Sequence, residues 1–195
     1  LTLARRTLRH LLDVLDPYIA RGTPIVVPEP SCLASFRDEL PKLLCDDPRA
    51  ARLAALARSP AEHLLATGGV SILPRADEPR RVLIHPHCHA RAVHAADADR
   101  RLLEAVGHQV SILDAGCCGL AGSFGFSAKH EALSRTIGRD QWLPKLVAAT
   151  PENGELVIDG FSCAMQYSHL AAGSTPDGAP APTTLPELLL GRVRG

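Results

Sequence analysis

Four cysteines stand where thiolates could gather on one metal. They are Cys88 in His87-Cys88-His89, the pair Cys117-Cys118 in the loop from Ala115 to Gly125, and Cys163 in Gly160-Phe161-Ser162-Cys163. Adjacent cysteines in a glycine-rich loop gain nothing as core packing, whereas isolated cysteines are commonly small buried hydrophobes. Soft thiolates select an iron–sulfur cluster or zinc over hard cations. Gly116, Gly119, Gly122 and Gly125 recur at every third position of that loop. Without Cβ atoms the backbone there can approach a cluster closely and take positive φ, and its N–H groups can donate to sulfur and tune a potential. These four glycines are therefore candidate cofactor-binding positions, and Cys88, Cys117, Cys118 and Cys163 candidate metal ligands. A Cys117–Cys118 vicinal disulfide is a redox alternative that leaves Cys88 and Cys163 without a role. His85, His87 and His89 alternate along one segment. They suit either mixed Cys/His zinc ligation or hydrogen bonding beside the site. His10, His63, His94, His108, His130 and His169 stand ungrouped and read as surface or satisfied polar residues. Cys45, in Leu43-Leu44-Cys45, reads as a buried hydrophobe on a helix face.

Other chemistries find little support. Ser123 lies outside the strand–G-x-S-x-G–helix setting of a hydrolase nucleophile, and neither G-x-G-x-x-G nor a P-loop is present. Lys and Arg number 21 against 21 Asp and Glu, so no polyanionic partner is implied. Only 4% of residues are aromatic, which argues against a base-stacking surface. No nucleic acid is expected as a partner. No apolar run approaches the roughly 20 residues of a membrane span. Six cysteines without a secretory leader fit a reducing compartment, where metal ligation outcompetes disulfides. The cytoplasm is the expected location, with a membrane reached only through a partner. The chain opens on Leu1 inside an amphipathic stretch, which reads as a piece of a longer protein.

These residues need elements to position them. Leu3, Leu8, Leu11, Leu12, Leu15 and Ile19 keep helical spacing up to a stop at Arg21-Gly22. Pro24–Val27 reads as a short strand, and Ser31 as the N-cap of a helix starting near Cys32. Asp47-Pro48 and Ser59-Pro60-Ala61-Glu62 each open a further helix. From residue 81 the pattern is β-α-β-α-β: a strand Arg81–His85, a helix Ala90–Val106 and a strand Gln109–Leu113. Then come a helix capped by Ser127, a helical segment from Gln141 to Ala148, an Asn153-Gly154 turn and a strand Glu155–Ile158. Leu185–Leu190 reads as a terminal helix. Short apolar strands alternating with helices imply an α/β fold, a parallel sheet flanked by helices. Ligands of such sheets gather beyond the carboxyl ends of the strands. Each candidate cysteine follows a strand, so the four should meet there.

Residues 26–36 match 157–167 without a gap, both reading strand, turn, Ser-Cys, helix. With Gly116-Cys117-Cys118-Gly119, His87-Cys88-His89 and Asp159-Gly160-Phe161-Ser162-Cys163, the chain resembles the cysteine-rich CCG domain family found in heterodisulfide reductase and in the iron–sulfur subunit of glycolate oxidase. Glu29-Pro30-Ser31-Cys32 and Phe36-Arg37-Asp38-Glu39-Leu40 extend the resemblance to the C-terminal part of bacterial FAD-linked oxidases of the D-lactate/2-hydroxyglutarate dehydrogenase type. It implies a fold built from a partial and a complete CCG-type repeat. Residues 1–66 would end the first repeat with a helical insertion, 67–80 form a linker, 81–170 hold the complete second repeat, and 171–195 form a flexible tail with a short helix. It further implies that Cys88, Cys117, Cys118 and Cys163 ligate an iron–sulfur cluster, with zinc as the alternative. Cys32 would be the last ligand of the first repeat, here an exposed thiol without partners. Heterodisulfide reductase carries C-x-x-C where this chain has Cys163 and then Gln166, which points to four thiolates rather than five. The expected role is electron transfer within an FAD-linked oxidoreductase acting on a D-2-hydroxy acid, with structural zinc binding or partner docking as the alternative. The FAD would sit in a flavin domain of the same polypeptide outside this chain, and the acceptor would be a quinone or redox protein. The fragment alone should not turn over.

Overall fold

A computed structural model of the chain describes residues 1–93, 96–150, 154–174 and 181–191. His94, Asn153 and part of the expected tail (175–180 and 192–195) lie outside the described residues. Helix α1 (Thr2–Arg21) presents Leu12 and Ile19 to the core and ends where Gly22 adopts a left-handed φ of 68°. Strand β1 (Ile25–Val26) follows, then α2 (Pro30–Ala34), a π turn (Ser35–Glu39) and α3 (Leu40–Leu43). Next come α4 (Pro48–Leu56), β2 (Ala57–Arg58) and α5 (Pro60–Thr67). The α5 start carries the full reciprocal capping box between Ser59 and Glu62. The second half runs β3 (Arg81–Ile84), α6 (Cys88–Ala92), α7 (Ala96–Ala105) and β4 (Gln109–Ile112). It continues with α8 (Glu131–Ile137), a second π turn (Gly138–Trp142), α9 (Leu143–Ala149), β5 (Glu155–Val157), α10 (Phe161–Ser174) and α11 (Leu185–Leu190). No helix among the described residues is long and apolar enough to cross a membrane.

The α/β reading holds. Strands β4, β3 and β5 form one parallel sheet with β3 central, and β1 pairs parallel with β2. Alternation along the strands sends residues to two cores. Leu83, Leu156 and Ile158 pack with Trp142, Leu146, Tyr167 and Cys163 on one face. Val82, Ile84 and Val157 pack with Leu102, Leu103 and Val106 on the other. The first half has its own core of Leu12, Ile19, Leu40, Leu44 and Leu53. Arg37 ties this half together: its guanidinium donates to both Glu62 carboxylate oxygens (3.0 and 2.6 Å) and to the Ala57 carbonyl.

Several local expectations need correcting. The helix expected over Ala90–Val106 is two helices, α6 packing on α2 and α7 on α5. Ser31 does not cap its helix: Glu29 does, accepting from the Ser31 N–H, and Pro30 occupies the first turn. Ser127 does not start α8 either. Its carbonyl accepts from the His130 and Glu131 N–H groups in a turn, and the helix begins at Glu131. Cys45 is exposed in the turn after α3, while its neighbour Leu44 takes the core position. The two π turns each precede a Leu-Pro-Lys-Leu helix start, at Leu40–Leu43 and Leu143–Leu146. Proline there lacks an N–H and crowds the carbonyl four residues back, and a widened turn accommodates both defects.

Candidate metal centre

Strand order decides the site. With β3 between β4 and β5, the loops carrying Cys117-Cys118, Cys88 and Cys163 leave the same carboxyl edge side by side. The four cysteines come together there. Their side chains form a hydrogen-bonded row in which Cys88 meets Cys117, Cys117 meets Cys118, and Cys118 meets Cys163. Cys88 and Cys117 are exposed, whereas Cys118 and Cys163 are buried. Among the described residues no three His, Cys, Asp or Glu side chains make a ready-made ion-binding group. Four thiols are nevertheless the donor type and number that a soft metal prefers.

The row polarises its thiols. Cys117 accepts from Cys118 and from Cys88, and Gly119 donates its N–H to the Cys117 sulfur at 3.3 Å; together these hold Cys117 far below the usual thiol range. Cys163 accepts from Cys118, and the His85 side chain adds a second polar contact, so it too is held low against the opposing effect of burial. Cys88 and Cys118 give up these hydrogens and desolvation adds to the effect, so both are pushed up. Two sulfurs therefore favour the thiolate beside two that keep their protons.

The loop geometry explains most of its glycines. Gly116, Gly119 and Gly122 have φ of 87°, 97° and 63°. At Gly119 a Cβ would also lie 2.3 Å from the Ser134 carbonyl oxygen, so both conformation and space demand glycine. Gly125 has no left-handed φ, and its bare Cα instead admits Ser134 Oγ and the Leu120 side chain.

Histidines support the row from beneath. His87 Nδ1 accepts from the His89 N–H at 3.2 Å and caps α6, and its Nε2 lies 3.3 Å from Ser162 Oγ. Burial keeps this ring below the ordinary imidazole range, hence neutral. Its bed is Gly160, where a Cβ would stand 2.1 Å from the ring. His85 is 2% exposed and accepts a hydrogen bond from the fully buried Trp142 Nε1 at 3.0 Å. His89 faces His87 edge-on, with ring centroids 5.1 Å apart.

Sequence reasoning missed these supporting residues. Gly138 lets the second π turn close on the Cys118 carbonyl, 2.8 Å from where a Cβ would sit. Gln166, at the C-x-x-C spacing after Cys163, is buried and donates to the Ser134 carbonyl at 3.0 Å, so it locks α10 to α8. Glu29 caps α2 and also accepts from the Phe161 N–H at 3.2 Å, joining the two halves beside the site. Cys32 and Cys163 are each the third residue of their helices, α2 and α10, after a strand and a tight turn. They share a local frame, yet Cys32 is exposed and lies outside the row.

No protein-family model matches the chain, and no solved structure matches it significantly. Curated relatives do. The chain is 30% identical over 143 residues to a subunit of the anaerobic glycerol-3-phosphate dehydrogenase of Escherichia coli K12, covering 69% of this chain and 34% of that protein. It is 36% identical over 55 residues to the D-2-hydroxyglutarate dehydrogenase of Pseudomonas putida, covering 28% of this chain and 5% of that protein. It is 24% identical over 174 residues to the D-2-hydroxyglutarate dehydrogenase of Haemophilus influenzae, covering 85% of this chain and 17% of that protein. The chain thus spans about a third or less of the length of the relatives it matches, and those relatives are dehydrogenases.

Proposed function

We propose that this chain is the iron–sulfur, electron-transfer module of an FAD-linked oxidoreductase acting on a D-2-hydroxy acid. The observation that carries the reading is the convergence of Cys88, Cys117, Cys118 and Cys163 on one sheet edge. The dehydrogenase names of the relatives support the oxidoreductase part. Those four sulfurs would hold the cluster, which when bound supplies a one-electron relay between flavin and acceptor. The residues present prepare for it in three ways. Gly119 fixes the Cys117 sulfur through its N–H. Cys117 and Cys163 offer sulfurs already biased to the thiolate. Cys88 and Cys118 must release protons on loading, so uptake is favoured as pH rises. The flavin domain belongs to the same polypeptide, the acceptor is a quinone or a redox protein, and the chain works in the cytoplasm without turning over alone.

A second reading, structural zinc, draws on one contact: Cys88 Sγ lies 4.0 Å from His87 Nδ1, a mixed Cys/His pairing of the kind zinc accepts. Anaerobic loading with iron and sulfide, followed by iron, sulfide and zinc analysis, separates the two readings. Iron with matching sulfide supports the cluster, and zinc alone supports the structural site.

A further inference from the structure

Two buried rings, Trp142 and His85, are joined by a hydrogen bond. The Trp142 indole nitrogen can only donate, so His85 Nε2, 3.0 Å away, must be unprotonated. A neutral His85 therefore carries its proton on Nδ1. That atom is buried and makes no hydrogen bond of ordinary geometry among the described residues. The ring lies against Cys163, which is 2% exposed in the same core as Trp142. The indole meets the imidazole edge-on, with centroids 5.2 Å apart and planes at 69°, and Trp142 is itself fixed as the last residue of the second π turn. Sulfur is large and polarisable and accepts N–H groups at looser distances than oxygen does. A buried donor without another acceptor strongly favours such a partner.

We infer that His85 is a positioning residue whose Nδ1–H, locked in that tautomer by Trp142, donates to the Cys163 sulfur. Its consequence for function rests on the iron–sulfur reading: an N–H donor to a ligand sulfur stabilises the electron-rich, reduced state and raises the reduction potential. The lock itself does not depend on metal. Trp142 and His85 are 57 residues apart, so the donor's direction is set by the packing of the second π turn and α9 on the sheet.

Two measurements test this. In the reduced, metal-free protein, nitrogen-15 correlation spectra of the imidazoles should show His85 protonated at Nδ1 and bare at Nε2. Trp142→Phe, which keeps an aromatic ring and removes the donor, should mix or invert that tautomer. A wild-type His85 protonated at Nε2 overturns the inference. In iron-loaded protein, His85→Phe should shift the reduction potential negative of wild type. His85→Asn, whose amide nitrogen can stand near the Nδ1 position, should recover part of the shift. Equal potentials in all three would show that the donor does not reach the sulfur, and would also overturn it. Failure of wild-type protein to take up iron would instead count against the iron–sulfur reading, and the nitrogen spectra would then decide the lock alone.

Discussion

Replacing Gly119 by alanine should damage this protein far more than replacing Gly122, three residues along the same loop. Both glycines have left-handed φ, 97° and 63°. A non-glycine residue held there costs on the order of 1–2 kcal/mol. Gly122 has nothing within 4 Å of an added Cβ, so Gly122→Ala should cost about 1–2 kcal/mol and no more. At Gly119 the new carbon would stand 2.3 Å from the Ser134 carbonyl oxygen and 3.1 Å from its carbon. That neighbour is helix backbone, also engaged by Gln166, and cannot rotate away. Overpacking against it adds roughly 1–3 kcal/mol, so Gly119→Ala should lose about 2–5 kcal/mol in total. A single domain has only about 5–15 kcal/mol of stability. The displaced loop should also lose the N–H bond to the Cys117 sulfur. Urea unfolding of the two variants and wild type, followed by circular dichroism, measures the difference. If the variants fall within about 0.5 kcal/mol of each other, steric reasoning at this loop is wrong.

Further outcomes are expected elsewhere. Gly160→Ala would put a carbon 2.1 Å from the His87 ring, and should cost about 2–4 kcal/mol as the ring leaves the α6 cap and Ser162; chemical denaturation reads it directly. Arg37→Ala removes the ion pair from Glu62 and the donor from the Ala57 carbonyl and should cost about 2–4 kcal/mol, with Arg37→Lys recovering less than half because one ammonium cannot reproduce the two-pronged pairing. Asp99 is pushed up to about 8 by burial, with Asp159 and Glu62 adding repulsion. A carboxyl raised in the folded state stabilises when protonated, so wild-type stability should fall as pH rises from about 4 toward about 8. Asp99→Asn should flatten that fall, gaining on the order of 1–3 kcal/mol at the upper end in a pH series of melts. Cys45→Ser should leave metal content unchanged, since the residue is exposed in a turn and takes no part in the row, whereas Cys117→Ser should abolish it.

What the sequence could reveal depended on how local the physics was. The capping box at Ser59 and Glu62, the glycine stop at Gly22 and the three strands of the main sheet rest on neighbours in sequence, and they were legible. Placing each cysteine after a strand was enough to bring the four together, because parallel topology converts that position into a shared edge. The residues that hold the site were hidden for the opposite reason. Glu29 reaches Phe161 across 132 positions, and Trp142 reaches His85 across 57. Strand β2, Ala57-Arg58, has no β-branched residue and exists because β1 is there to pair with it. Cys45 followed the leucine pattern of its neighbours, but the helix ends at Leu43 and the chain turns it outward. Gly160 and Gly138 reveal their purpose only through what a Cβ would strike.

Anaerobic iron and sulfide loading of the chain, with visible absorption recorded before and after reduction, tests the central proposal most directly. The expected result is a coloured protein whose absorption bleaches on reduction, with iron and sulfide in matching amounts, and a colourless Cys117→Ser variant prepared in parallel. A colourless wild-type protein, or one that retains colour when Cys117 is replaced, would contradict it.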